Sequence, residues 1–275
     1  MTAPSLPRLV APEDFVARLR DDNLRIVDLS QPRVYMQAHV PGAVHVDFRL
    51  TQAGTLPAPG ALPSAAAISE MLSMIGVTPD MHVVAYDDEG GGWAGRFLWL
   101  LTMVGHTKWS YLDGGIHAWL AAGLPIEQDV TEVEPSTYQA RISGDASVDK
   151  QYLRLHLGDP DLVIWDARSR DEFLGVRALA ARGGHIPGAV NLDWIECMDR
   201  TRSLRLKDLG ELRATLAGLG ITADREIVTH CQTNHRSGLT WLVGTLLGFP
   251  RMRAYPGSWS EWGNDPSLPV ESPLQ

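Results

Sequence analysis

Cys231 is followed by Gln232, Thr233, Asn234, His235, Arg236, Ser237 and Gly238, an unbroken run of polar or small residues. It is preceded by the β-prone segment from Ile227 to His230. A cysteine that only fills a core has no need of such a following run. The chemistry open to this one is that of a thiolate. The first amides of a helix lack partners and point outward, and the helix dipole is positive at that end. Successive loop amides can also form a concavity for an anion. Such a setting lowers the thiol pKa from its free value of about 8.5. His235 and Arg236 add donors and positive charge. A thiolate placed in this way attacks soft electrophiles, and sulfur in a weak S–S bond is the softest common one. The product is a persulfide whose outer sulfur the same amides could hold.

The only other cysteine, Cys197 in Glu-Cys-Met-Asp, has no comparable surroundings and reads as a small buried hydrophobe. No metal is expected at Cys231. His230 and His235 are its only potential co-ligands nearby in sequence, and zinc takes three or four protein ligands. Two rival readings stay open. His230-Cys-x4-Arg236-Ser237 is one residue shorter than the His-Cys-x5-Arg-Ser/Thr string of cysteine phosphatases and arsenate reductases. A non-catalytic module that carries or binds sulfur would show the same loop.

The elements that must position this loop follow from patterning. A strand over about 226–229 ends at the cysteine, and a helix over 237–247 begins beyond it with Leu239, Leu242, Val243 and Leu246 apolar. In open α/β sheets ligands bind at that edge. The same arrangement occurs twice. His39-Val-Pro-Gly-Ala-Val-His-Val-Asp47 matches His185-Ile-Pro-Gly-Ala-Val-Asn-Leu-Asp193, and Leu24-Arg-Ile-Val-Asp28 matches Leu162-Val-Ile-Trp-Asp166. Gly105, Gly114 and Trp119 keep step with Gly248, Gly257 and Trp262, and Leu124-Pro-Ile-Glu127 with Leu268-Pro-Val-Glu271. An ordered series of this kind is an internal repeat. Strands are expected at 24–29, 43–47 and 82–86, then at 162–166, 189–193 and 226–229. Helices are expected near 64–75 and 94–104, then 208–218 and 237–247. This alternation predicts α/β domains with parallel sheets. The polar, acidic stretch 125–148 reads as a linker between domains at 1–124 and 149–275.

In the first copy Asp87 stands where the second has its cysteine, and Asp88 and Glu89 follow. Three carboxylates would repel an anionic ligand, so this copy is expected to be a scaffold. Gly90-Gly-Gly-Trp-Ala-Gly95 formally matches a dinucleotide fingerprint, but a lone match is weak and the repeat explains the segment better. His39 and His185 each precede Pro-Gly and are expected to hold turns by hydrogen bonds. The net charge of −9 offers no basic stripe for nucleic acid. No signal peptide is read at the start, and the longest strongly apolar stretch, Phe97 to Gly105, is too short for a membrane span. Two cysteines form no disulfide framework, so a cytoplasmic protein is expected.

The His-x-Pro-Gly-Ala runs at 39–43 and 185–189, Tyr35, Asp166-Ala-Arg-Ser169, Cys231 and Tyr255-Pro-Gly-Ser-Trp-Ser-Glu-Trp262 together resemble the tandem-domain rhodaneses, the thiosulfate and mercaptopyruvate sulfurtransferases, over nearly the full length. The resemblance implies a parallel five-stranded sheet flanked by helices in each half. It implies a persulfide on Cys231 cradled by residues 232–237, no metal or organic cofactor, small-molecule sulfur donors and acceptors, and a monomer. A protein acceptor of sulfur is left open. Trp194, and with it Arg168, are candidates for the wall of the cleft. The loop is similar to that of a bacterial subgroup that uses thiosulfate, while 3-mercaptopyruvate is the alternative donor. Glu172 stands where many relatives carry a substrate-gripping arginine, and Arg236 is expected to replace that charge.

Overall fold

In the computed structural model, which describes residues 6–272, the two copies build two parallel sheets. The first has five strands in the order Leu9–Val10, Trp109–Leu112, His82–Tyr86, Leu24–Asp28, Ala43–His45. The second has four, in the order Met252–Ala254, Glu226–His230, Leu162–Asp166, Val190–Asn191. The expected fifth strand of the second sheet is reduced to a single parallel bridge between Ser147 and Ala254. Asp149 caps the helix Lys150–Leu155 immediately afterwards, which leaves no length for a strand.

The central strands are buried apart from their first residues, as strands covered on both faces must be. His82–Tyr86 pairs with Leu24–Asp28 so that Tyr86 faces Asp28, and Glu226–His230 pairs with Leu162–Asp166 so that His230 faces Asp166. Ile26, Val84, Tyr86, Leu112 and Trp119 share one core, and Ile164, Val228, Tyr255, Trp259 and Trp262 share another. The four expected helices are present as Ala65–Met74, Gly92–Met103, Leu209–Gly218 and Arg236–Leu246. Among the described residues no helix is long and apolar enough to cross a membrane.

The repeated motifs close the same contacts in each copy. The His39 amide donates to Glu127 O at 2.9 Å, and the Gly42 amide to Glu127 Oε2 at 2.8 Å. The His185 amide donates to Glu271 O at 2.9 Å, and the Gly188 amide to Glu271 Oε2 at 3.1 Å. Trp119 Nε1 donates to Pro125 O and Trp262 Nε1 to Pro269 O, each at 2.7 Å. The His-x-Pro-Gly turn and the Leu-Pro-x-Glu segment therefore form one device: the glutamate satisfies the turn's orphan amide. His39 Nδ1 lies 2.8 Å from Tyr35 O and its ring stacks on Tyr35 at 3.9 Å. His185 Nδ1 lies 2.8 Å from Phe173 O and stacks on Phe173 at 3.6 Å. Both histidines hold turns.

The chain forms two compact units. One comprises residues up to Thr51, Pro63–Ser143 and Asp199–Leu206; the other comprises Gln52–Leu62, Gly144–Met198 and the chain from Lys207 on. The stretch 128–143 has no regular structure but lies along the first unit. There the Ser136 amide donates to Ser73 O, and the Tyr138 and Ala140 amides donate to the hydroxyls of Ser73 and Ser69, all at 2.9 Å.

Candidate active site

Cys231 occupies the first position after the central strand Glu226–His230, and the helix Arg236–Leu246 begins five residues on. Its carbonyl and that of Gln232 accept from the Trp259 and Ser260 amides at 2.9 and 3.0 Å. The start of the C-terminal helix Ser258–Trp262 thus pins the loop from one side. Asn234 takes a left-handed conformation, φ 54°, and this reverses the chain so that the following residues turn back over the cysteine. Cys231 is 1% exposed.

Burial pushes the Cys231 thiol up, but the Arg236 charge, hydrogen bonds from the Ser237 hydroxyl and amide, and His235 outweigh it, so the thiol titrates below its ordinary range. The Ser237 hydroxyl also lies 2.7 Å from Asn234 Oδ1. A hydroxyl has one proton, so it donates to the amide oxygen while the sulfur is protonated and can turn to the sulfur once it is ionised. Cys197 is the contrast: burial pushes it up to about 12, and the weak pull of Lys207 does not offset this. A thiolate is the nucleophilic form of cysteine, so the two cysteines differ in kind.

Arg236 does not project freely. Its guanidinium makes a fork-to-fork pair with Glu172, Nη1 to Oε2 at 2.7 Å and Nη2 to Oε1 at 2.9 Å. Glu172 is 2% exposed and also completes a capping box with Ser169. Glu172, at the position where many relatives carry a substrate-gripping arginine, is thus paired rather than open to a substrate. Its carboxylate anchors Arg236, which then acts on the sulfur as a held charge.

The other expected residues separate into two groups. Gln232, Thr233 and His235 are half-buried at the loop surface, and Trp194 stands beside His235 with ring centroids 5.7 Å apart. Arg168 does not line a cleft. It is 1% exposed, its guanidinium holds Asp166 through Nε and Nη2, Nη2 donates to Gly184 O at 2.8 Å, and its ring-facing side lies 4.3 Å from the Trp259 centroid. A buried guanidinium needs partners on every side, and these are supplied beneath the loop. His230, also fully buried, lies 3.6 Å from Asp166.

Two residues escape the sequence reading. Gln52 Nε2 donates to Thr233 O at 2.7 Å, and Gly60 packs so tightly that a Cβ would meet Thr233 O at 2.2 Å and Pro256 O at 2.7 Å. Both come from the segment Gln52–Leu62, which precedes the cysteine by some 170 residues, and no local signal marks such an approach.

The first copy shows what its loop is built to hold. The amides of Glu89, Gly90 and Gly91 donate to Asp87 Oδ1 at 3.1, 3.1 and 2.9 Å, and that of Ala94 to Oδ2 at 2.9 Å. Asp87 thus fills its own anion cradle. Gly90 and Gly91 serve this cradle, both with positive φ, which accounts for the glycine string that mimics a dinucleotide fingerprint. Burial, with Glu89 adding to it, pushes the Asp87 carboxyl up to about 6 against the pull of these amides. The cradle is thus occupied by Asp87 itself, with Glu89 adding the repulsion expected of neighbouring carboxylates.

The rhodanese-like domain matches the chain twice, over residues 11–122 and 149–265. The thiosulfate sulfurtransferase of Azotobacter vinelandii is 46% identical over 97% of this chain and 98% of its own length. The thiosulfate sulfurtransferase of Pseudomonas aeruginosa is 45% identical over 97% of each. The 3-mercaptopyruvate sulfurtransferase of Escherichia coli is 31% identical over 89% of this chain and 87% of its own length. Among solved structures, an anaerobic ergothioneine biosynthesis enzyme from Chlorobium limicola superposes with a TM-score of 0.83 at 22% identity, over 96% of this chain and 70% of that one. That last likeness concerns the fold alone.

Proposed function

The chain belongs to the rhodanese family, with two copies of its domain, and on that premise we propose that it is a thiosulfate sulfurtransferase working by double displacement through Cys231, as its relatives' identity supports. The observation that carries the assignment to Cys231 is the set of groups around its sulfur: the Ser237 amide and hydroxyl and the Arg236 charge lower its pKa despite full burial.

The thiolate attacks the outer sulfur of thiosulfate. A Cys231–S bond forms, the S–S bond breaks, and its electron pair leaves on sulfite. The product is an anionic persulfide. A nucleophilic acceptor, cyanide or a thiol, then takes the outer sulfur, and the electron pair of the S–S bond returns to Cys231. Covalent catalysis of this kind divides one hard step into two. The loop amides and Arg236 stabilise negative charge on sulfur throughout. Because Glu172 neutralises Arg236 at long range, the charge of Arg236 acts on the nearby sulfur more than on distant ions.

Asp87 occupies its own cradle, which supports a structural role for the first domain, with residues 125–148 as the connection. Thiosulfate is favoured over 3-mercaptopyruvate. Both outer nitrogens of Arg236 are committed to Glu172, so no unpaired fork is offered to a keto acid's carboxylate. The two unbridged cysteines support a reducing, cytoplasmic setting, and the reading needs only a monomer. Incubation with thiosulfate should add the mass of one sulfur atom to Cys231, removable by cyanide. Cys231→Ser should lose the adduct and turnover, and Cys197→Ser should keep both. A sulfur found on Cys197, or a higher kcat/KM with 3-mercaptopyruvate, would refute the respective assignment.

A further inference from the structure

Ser258 is a fully buried serine with φ 54°, in the left-handed region that a residue with a Cβ adopts at a cost. The repeat places Gly115 at the matching position, and Gly115 has the same φ of 54°. The backbone around the two positions is shared. The Ile116 amide donates to Asp87 O at 3.2 Å, and the Trp259 amide donates to Cys231 O at 2.9 Å. In the first copy glycine is required, because a Cβ would meet Asp87 O at 2.1 Å. In the second copy the same strained conformation carries a side chain instead.

That side chain touches the reactive loop from beneath. Ser258 Oγ accepts from the Asn234 amide at 3.1 Å and, at a longer 3.4 Å, from the Cys231 amide, while its own proton goes to Tyr255 O at 2.9 Å. One hydroxyl therefore ties together both ends of the turn from Cys231 to Asn234, the second left-handed residue of the site. With the Ser258 oxygen absent, the Asn234 amide loses its acceptor and the turn loses the tie that sets where the Ser237 amide and hydroxyl point. Those two groups act directly on the Cys231 sulfur.

We propose that Ser258 is a positioning residue for sulfur transfer: its strained backbone is retained so that its hydroxyl can hold the Cys231–Asn234 turn in the form that receives a persulfide. This rests on the sulfurtransferase reading above. Strain retained where a glycine would relieve it marks a residue kept for what its side chain does.

The test uses the full-length chain with Ser258→Gly and Ser258→Ala. Glycine relieves the left-handed backbone but also leaves the Asn234 amide without its acceptor, so Ser258→Gly should stay folded and unfold in urea at a higher midpoint than Ser258→Ala. Its kcat with thiosulfate and cyanide should nevertheless fall tenfold or more, with KM changed by less than threefold. The pH midpoint for alkylation of Cys231 should move upward. Ser258→Ala should show the same kinetic losses together with a lower unfolding midpoint. If Ser258→Gly keeps the wild-type kcat and alkylation midpoint, or loses kcat only in step with stability while the midpoint stays put, the proposal is overturned. Alkylation reads the loop without any turnover. A wild-type protein that forms no persulfide would therefore sink the sulfurtransferase reading, while the midpoint shift would still decide the role of Ser258.

Discussion

Replacing Arg236 with glutamine should raise the pH at which Cys231 becomes reactive, and replacing Glu172 as well should restore part of the loss. Arg236 is foremost among the groups that lower this thiol against its burial. A charge in close range moves a neighbour's midpoint by about one to three pH units. In Arg236→Gln the sulfur loses that charge, and the buried Glu172 carboxylate, 2% exposed, loses its cationic partner. Glu172→Gln/Arg236→Gln removes both charges, so its midpoint should fall between those of the wild type and the single variant. Stability should follow the same order. Breaking one side of a buried pair costs roughly 3–5 kcal/mol, and with the Arg236 side chain 18% exposed about 2–3 kcal/mol is a fair discount. Glu172 has a depressed pKa in the fold, so its contribution is present above the ordinary carboxylate value of 4.5 and is lost as pH falls through the lower folded value. The wild type should therefore lose it only in acid, and Arg236→Gln at every pH. The assay is iodoacetamide labelling across pH with peptide mapping, and Cys197 serves as the internal standard. Cys197 titrates at about 12 and Cys231 below the ordinary 9.0, so neutral solution should hold at least about a thousandfold more thiolate at Cys231. A folded Arg236→Gln with an unmoved Cys231 midpoint, or equal labelling of the two cysteines in the wild type, would show this electrostatic account to be wrong.

Asp87→Ala strips the acceptor from four amides, three of them on buried residues, and should destabilise the protein by about 2–4 kcal/mol in urea while sulfur loading stays at one per chain; a second sulfur, or loss of loading in folded protein, would count against a structural first domain. Because burial raises Asp87 to about 6, its stabilising contribution is greatest below the ordinary 3.8 and is lost as pH rises through 6, so the wild type should lose about 3 kcal/mol relative to Asp87→Asn over that interval. Equal pH dependence of the two proteins is the contrary outcome. Gly60→Val must displace the main chain at Thr233 or Pro256 and should cut kcat/KM for thiosulfate by tenfold or more; unchanged kinetics would mean that the 52–62 segment does not shape the loop. Glu271→Ala removes an exposed carboxylate from the Gly188 amide and should cost only about 0.5–1.5 kcal/mol, measured by thermal unfolding, with the persulfide unaffected.

What was legible in the sequence is what local pattern determines. The repeat, the helices and the central strands follow from periodicity and from turn residues whose conformations are set by near neighbours. The placement of Cys231 at the end of a strand and before a helix follows from the same patterns, and so does its difference from Cys197. The tertiary structure decided which groups meet. Arg236 and Glu172 lie 64 positions apart, and nothing in their spacing indicates that each would neutralise the other. Arg168 is a candidate for the cleft wall on the resemblance alone, yet the fold buries it against Asp166 and Trp259. Asp87 reads in the sequence as a charge that would repel an anion, and only the fold shows that the loop wraps its own amides around it. Gln52 and Gly60 reach Thr233 because a segment from the first copy joins the second unit. The physical reason is the same in each case. Burial leaves a charged or hydrogen-bonding group no solvent, so it takes whatever partner the packing brings, and packing is a property of the whole chain.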